Sequence, residues 1–331
     1  MILSVIIPGY NTPSEWWIRC VSSVIKATSE LVIDPKKKTA EIICIDDGSN
    51  KIPIPSYLLL ISKIENENLL KFLSYSIDIK IIRLNENHGQ AEARNKALDI
   101  ATGEYVTFVD SDDEVRQETY RLCVNKLIST NADVCLYGVT PIWTCEGLLK
   151  HDIPQEMNTC IPSAELVEKW YKDCLLNYVS NKVIKKSALF VHNKPLRFDL
   201  NGMPCEDIIF YLELLIANTK WCAINYDGYI YYRNTNTSVS YYKSSHHYGT
   251  LKCADTWKRF CQSRNDGFTY CGYHSQISPL EMASSDRKNL LGKGSPLWYA
   301  KLYQLFRSIF YIRPIRKWHL KRTFSNIEEY K

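Results

Sequence analysis

The amino-acid sequence predicts an α/β protein: a mostly parallel sheet flanked by helices, followed by a helical, basic C-terminal extension. Three observations carry this. Apolar runs of strand length recur at 3–8 (LSVIIP), 41–47 (EIICIDD), 79–85 (IKIIRLN) and 104–110 (EYVTFVD). Segments with helical periodicity lie between runs, and polar turn residues follow each one. Unbroken rather than alternating apolar runs suit strands covered on both faces, and strand–helix alternation is the pattern of a parallel sheet.

The elements follow in order. After the first run, a turn at Gly9 leads into SEWWIRCVSSVIKA, in which Trp17, Cys20, Val21, Val24 and Ile25 share one helical face. Residues 49–76 hold one further helix. Between the third and fourth runs, GQAEARNKALDIATG is alanine-rich and ends in a glycine suited to a helix C-cap. RQETYRLCVNKLISTNADVCLYGVT, 116–140, reads as a helix and another strand, and 163–176 as a helix.

Composition narrows the setting. A chain of 331 residues, 45% hydrophobic and 23% charged, can bury a sizeable core and is not disordered. Its net charge of +5 is concentrated: Lys301 to Arg322 holds seven basic residues and no acidic one, leaving 34 basic against 36 acidic elsewhere. A nucleic-acid groove is therefore not expected in the first part of the chain. The twelve cysteines form no CxxC pair and fall mostly in apolar runs, which favours reduced, buried thiols over a disulfide framework. MILSVIIPGYN reads as the first strand rather than a leader, and no stretch of about 18 uninterrupted apolar residues suggests a membrane span. A cytoplasmic setting is expected.

In open α/β sheets, ligands bind beyond the carboxyl ends of the strands. The tips here read Pro8-Gly9-Tyr10-Asn11, Asp46-Asp47-Gly48-Ser49, Asn85 through Gly89, and Asp110-Ser111-Asp112-Asp113. Turn chemistry explains any one of them; four polar tips on one edge point to a ligand. Neither GxGxxG after the first strand nor GxxxxGK[ST] occurs, so no glycine cradle holds a diphosphate. A divalent cation, Mn²⁺ or Mg²⁺, held by carboxylates is the alternative. Asp110 and Asp112, at alternate positions of an extended segment, converge on one ligand. Asp113 and Glu114 read as a solvated turn opening the next helix.

The set SVIIPGYN, IDDGS, NHGQAEARNKAL, GEYVTFVDSDD and CEDIIF resembles, in order and spacing, the family 2 glycosyltransferases of the GT-A fold, whose sheet is Rossmann-like. The resemblance covers about 2–240 and is strongest to 115. It implies a nucleotide-sugar donor, usually a UDP-sugar, a divalent metal and transfer with inversion. It implies a nucleotide-sugar-binding half at 1–115, an acceptor-binding half at 116–240 and a C-terminal extension at 241–331. Carried over, Pro8, Tyr10 and Asn11 would line the nucleoside pocket, Asp47 would bond the base, and Asp46 would be a less certain partner. Gly89, Arg94 and Asn95 would close over the nucleotide, with Arg94 orienting Asp110. Asp110 and Ser111 would lie on the ribose side, Asp112 and Asp110 at the metal. Of the Glu206-Asp207 pair, Asp207 would be the general base; the competing reading is that both are acids placed at a helix N-terminus by its dipole. YIYYRNTNTSVS, 229–240, resembles the Tyr- and Arg-containing strand that follows the helix after the base. Lys182 and Arg233 are candidates to touch phosphate, and His246 and His247 read as solvated or packed.

Beyond about 241 the resemblance ends. SPLWYAKLYQLFRSIFYIRPIRKWHLKR places Trp298, Tyr299, Leu302, Leu305, Phe306, Ile309 and Phe310 at helical spacing among the seven cations. Residues 297–322 thus read as an amphipathic helix at an anionic membrane surface, the inner face of the cell membrane, with docking on the catalytic domain or a dimer contact as alternatives. The acceptor expected is a saccharide, lipid-linked. A catalytically inactive GT-A domain serving as an assembly partner is the alternative to an enzyme. A processive polymer synthase is disfavoured by the absence of QxxRW and of membrane-spanning segments.

Overall fold

The structure is a computed structural model that describes residues 1–31, 37–61, 73, 75–143, 147–148, 154, 156–162, 178–191, 194–200, 206–217, 219–233 and 256. The chain forms two compact units: Met1–Leu200 with Ala217–Ser238, and Asn201–Ile216 with Val239–Lys331. The predicted helix at 163–176, His246, His247 and the tail at 297–322 lie outside the described residues, as does the side chain of Arg233.

The first unit is built on β1 (Leu3–Gly9), β2 (Ala40–Asp46), β3 (Ile77–Arg83) and β4 (Tyr105–Phe108), followed by β5 (Glu114–Val115), β6 (Val134–Trp143), β7 (Gly147–Leu148), β8 (Met157–Pro162), β9 (Lys182–Lys185) and β12 (Lys220–Arg233). The sheet order is β3-β2-β1-β4-β9-β6-β12-β5, with β7 on β6 and β8 on β12. A separate hairpin pairs β10 (Phe190–Val191) with β11 (Lys194–Pro195). The first four strands are parallel, and their register sets Gly9 beside Asp46 and Asp46 beside Arg83. All of β2 is buried, as the unbroken run IICI requires, whereas β3 at the edge is largely half-buried. Beyond β4 the sheet is mixed: β9 runs antiparallel to both β4 and β6, while β12 lies parallel to β6.

Helices α1 (Ser14–Ser29), α2 (Tyr57–Ile61), α3 (Gln90–Ile100) and α4 (Thr119–Thr130) cover this sheet. From β1 through β3 the strand order steps one way, and from β3 to β4 it reverses. With right-handed crossovers, α1 and α3 therefore fall on opposite faces. The apolar face of α1 is buried as its spacing predicts, with Trp17, Cys20, Val21, Val24 and Ile25 almost inaccessible.

Three expectations change. Helix α3 stops at extended Ala101 rather than at a left-handed glycine. Gly103 serves close approach instead: a Cβ there would sit 2.5 Å from the Ser4 backbone nitrogen, and its own N–H donates to Ser4 Oγ. Glu114 pairs with Ile230 in β5 instead of opening a helix. Finally, β12 begins at Lys220, well before the segment at 229 that suggested a strand.

At the amino ends of the strands, Glu41 is fully buried and ties neighbours together. It accepts from Ser4 Oγ at 2.6 Å, Lys80 Nζ at 2.6 Å and Thr102 Oγ1 at 2.9 Å. Burial alone would raise its pKa; these donors outweigh that and hold the carboxyl at about 2.

Candidate active site

At the carboxyl edge of the parallel strands, each predicted tip takes a definite form. Pro8 is a buried residue of β1, and Tyr10 beyond it is 43% exposed. Asn11 adopts left-handed φ of 51°, and its Oδ1 accepts from the Lys51 and Ile52 amides, closing the first tip onto the second. The Asn11 amide donates in turn to Ser49 Oγ at 2.8 Å.

The two aspartates after β2 divide their work. Asp46 accepts from the amides of Ser49 and Ile54 and lies 3.7 Å from Arg83 Nε, shaping its own turn. Asp47 accepts from the His88 and Gly89 amides at 3.0 and 2.8 Å and from Asn87 Nδ2 at 3.0 Å. Burial raises the Asp47 pKa although these amides oppose it. Asp47 thus fastens the loop after β3. Gly48 makes this possible, because a Cβ at its φ of 67° would lie 2.3 Å from the Glu86 backbone.

Helix α3 then brings in Arg94. It is 1% exposed, not a surface residue, and its guanidinium donates to Asp110 Oδ1 at 2.9 Å and lies 5.3 Å from the Phe198 ring. The Asn95 side-chain amide donates to the Phe198 carbonyl and accepts from the Phe198 N–H, which ties Phe198 to the helix. The family resemblance put Asn95 with the nucleotide; its side-chain amide here is taken by this buried backbone pair.

The acidic sequence at 110–113 is a turn rather than an extended segment, with the Asp113 amide donating to the Asp110 carbonyl at 3.0 Å. Asp110 stays 32% exposed beside Arg94, and Ser111 Oγ shares a hydrogen bond with Thr12 Oγ1 at 2.8 Å. Asp112 is half-buried, and its carboxyl is pushed up to about 6 by burial and by the Asp110 charge, against an opposing backbone hydrogen bond and Arg19. Asp113 is not solvated as its place in the sequence suggested. It is fully buried, which raises its carboxyl well above the usual range, and it accepts from Tyr229 Oη and the Tyr232 amide.

Arg19, Tyr229 and Tyr232 were not among the residues singled out. From α1, Arg19 donates to the Asp112 carbonyl, lies 3.3 Å from Glu114 and stacks 3.9 Å over the Tyr232 ring. Nothing in their spacing announces them, since each meets the turn across about 90 residues or more. Lys182 is fully buried, donating to the Tyr178 carbonyl and to Asn181, so it is a core lysine rather than a phosphate contact.

Could a cation be held here? Among the described residues no group of three or more His, Cys, Asp or Glu is arranged so as to hold a metal ion. Asp110 and Asp112 nonetheless stand close enough for the Asp110 charge to add to burial in raising the Asp112 pKa, and carboxylate oxygens are what a hard divalent cation takes. Those two residues fit such an ion, with the remaining positions left to ligand or water. Glu206 and Asp207 occupy the first turn of α5 (Glu206–Ile216), an element of the second unit. Glu206 is buried and Asp207 half-buried, in the position a helix dipole favours for acids. Among the described residues no helix is long and apolar enough to cross a membrane.

Comparison with known proteins bears on the family and the fold. A poly(ribitol-phosphate) beta-glucosyltransferase of Bacillus spizizenii (strain ATCC 23059 / NRRL B-14472 / W23) is 25% identical over 256 residues, 76% of this chain and 36% of that protein. The poly(ribitol-phosphate) beta-N-acetylglucosaminyltransferase TarP of Staphylococcus aureus (strain N315) is 28% identical over 298 residues, 88% of this chain and 77% of its own. The match spans only about a third of the length of that glucosyltransferase and of two further curated relatives. Among solved structures, S. aureus TarS 1–349 in complex with UDP-GlcNAc superposes with a TM-score of 0.57 at 18% identity, covering 83% of this chain and 74% of that one, a likeness of fold. The family model for glycosyl transferase family 2 matches residues 4–189, more than half of the 331-residue chain. The chain belongs to glycosyl transferase family 2.

Proposed function

We propose that this chain is an inverting glycosyltransferase that moves a sugar from a UDP-sugar to a saccharide acceptor, lipid-linked, in the assembly of a surface glycan. The observation that carries the reading is the acidic turn at the carboxyl edge of the sheet. There Asp110 is held by buried Arg94, and Asp112 stands beside it part-exposed, next to the tips ordered by Asn11 and Asp47. Relatives named for transfer to poly(ribitol-phosphate), and a fold neighbour crystallised with UDP-GlcNAc, support the donor and acceptor classes.

In this reading the loops ordered by Asn11 and Asp47 take the nucleoside, and Asp110, fixed by Arg94, takes the ribose side. Asp112, with Asp110, would hold Mn²⁺ or Mg²⁺, which when bound supplies neutralising charge for the departing diphosphate. Asp207 removes the acceptor hydroxyl proton as that oxygen attacks the anomeric carbon, from the face opposite the bond to phosphate. The new C–O bond forms as the C–O bond to UDP breaks, so the configuration inverts. The proton remains on the carboxyl of Asp207 until solvent takes it.

A melting-temperature screen against nucleoside diphosphates, with and without Mn²⁺, tests this. UDP with Mn²⁺ is expected to raise the midpoint by several degrees, since a ligand at about 100 times its Kd adds about 2.7 kcal/mol. No shift with any nucleotide contradicts the reading.

A further inference from the structure

The Tyr229 hydroxyl sits at a junction in the acidic turn. Fully buried, it accepts from the Asp110 amide at 3.1 Å and donates to Asp113 Oδ2 at 2.6 Å. One oxygen thus joins the first and fourth residues of the turn to the last strand of the sheet. The other Asp113 oxygen accepts from the Tyr232 amide at 2.7 Å, and the Asp113 amide donates back to the Asp110 carbonyl. Arg19, stacked on the Tyr232 ring, adds a further hold through the Asp112 carbonyl and Glu114.

A fully buried carboxylate is costly unless its lone pairs are met, and an apolar side chain of similar size would pack there at lower cost. What a carboxylate adds is direction: its two oxygens fix the turn to β12 at two points. Asp113 and Tyr229 are both closed off from solvent, whereas Asp110 and Asp112 stay part-exposed.

We infer that Tyr229 and Asp113 are positioning residues, which hold the Asp110-Ser111-Asp112 turn so that its two part-exposed carboxylates face the donor together. This rests on the donor-binding reading above, and β12 becomes the template against which the acidic turn is set. The pair acts through Asp110 and Asp112, not by touching the donor.

The test uses the full chain as wild type, Tyr229→Phe, Asp113→Asn and Tyr137→Phe. Tyr137 is the control, equally buried, with its hydroxyl donating to the Ser180 carbonyl rather than to any residue of the turn. Amide hydrogen exchange over 109–116 is measured without ligand, and UDP affinity is measured with and without Mn²⁺. Tyr229→Phe is expected to melt within a few degrees of Tyr137→Phe. It should alone of those two speed exchange over 109–116 by about tenfold or more and weaken UDP binding about tenfold, only when Mn²⁺ is present. Asp113→Asn, which keeps one acceptor oxygen, should give a smaller change of the same sign. Unchanged protection over 109–116 in Tyr229→Phe, or wild-type Mn²⁺-dependent affinity in that variant, overturns the inference. A wild type that binds no UDP sinks the donor reading instead, and the exchange data then decide the positioning by themselves.

Discussion

Glu41, Asp46, Asp47 and Asp113 are each no more than 2% exposed, and all accept several hydrogen bonds from their own chain. Asp110 and Asp112 keep access to solvent and lack such a set, which is why the proposed chemistry falls on them. Spacing alone could not separate Asp112 from Asp113. The donors that bury Asp113 lie on β12, 116 residues further along. Glu41 gives a test of the buried class. Its folded pKa of about 2 is below its ordinary value of 4.5, so its stabilisation is complete above pH 4.5 and is lost as pH falls from there toward 2. Glu41→Gln is expected to lower stability at pH 7 by about 2–3 kcal/mol in denaturant titration, because Lys80 loses its counter-charge, and to flatten the pH dependence over that window. Asp207→Asn is a test of the proposed base. UDP affinity should be unchanged while transfer falls by about a thousandfold; a variant that keeps most of its rate puts the base elsewhere.

Elements were legible where burial on both faces makes a strand uniformly apolar. The runs at 3–8 and 41–47 became β1 and β2 with shifts of one residue, because no alternation had to be resolved. The helix face of Trp17, Cys20 and Val21 was legible for the same reason, its period being local. What sequence could not show is pairing at a distance. The insertion of β9 antiparallel between β4 and β6, and the early start of β12, are set by partners far along the chain. The glycine in IDDGS carries the prediction at this scale. Its positive φ and the 2.3 Å clash of any Cβ with the Glu86 backbone mean that Gly48→Ala must push the loop after β3 off the tip of β2. A loss of about 2 kcal/mol or more in stability is expected, with weaker UDP binding measured by calorimetry. Unchanged affinity would mean the nucleoside does not depend on that loop.

At the scale of the molecule, charge separates the chain into a near-neutral body and a basic tail of seven cations between 301 and 322. That contrast was legible from composition, because it needs no knowledge of contacts. The tail itself lies outside the described residues, and its proposed seat is an anionic membrane surface, where each cation adds about 1 kcal/mol. Deleting residues from 295 onward should move the protein from the membrane fraction to the supernatant and abolish sedimentation with anionic vesicles; unchanged fractionation removes the proposal. The first unit, by contrast, gathers its strand tips on one edge from four separate stretches, and the account stands on the acidic one. The most direct measurement is UDP release from a panel of UDP-sugars by wild type and Asp112→Ala, with Mn²⁺ and with EDTA. Release by the wild type that needs Mn²⁺ and falls by about a hundredfold or more in Asp112→Ala is the result predicted. Equal release by the two proteins, or release that survives EDTA, would contradict it.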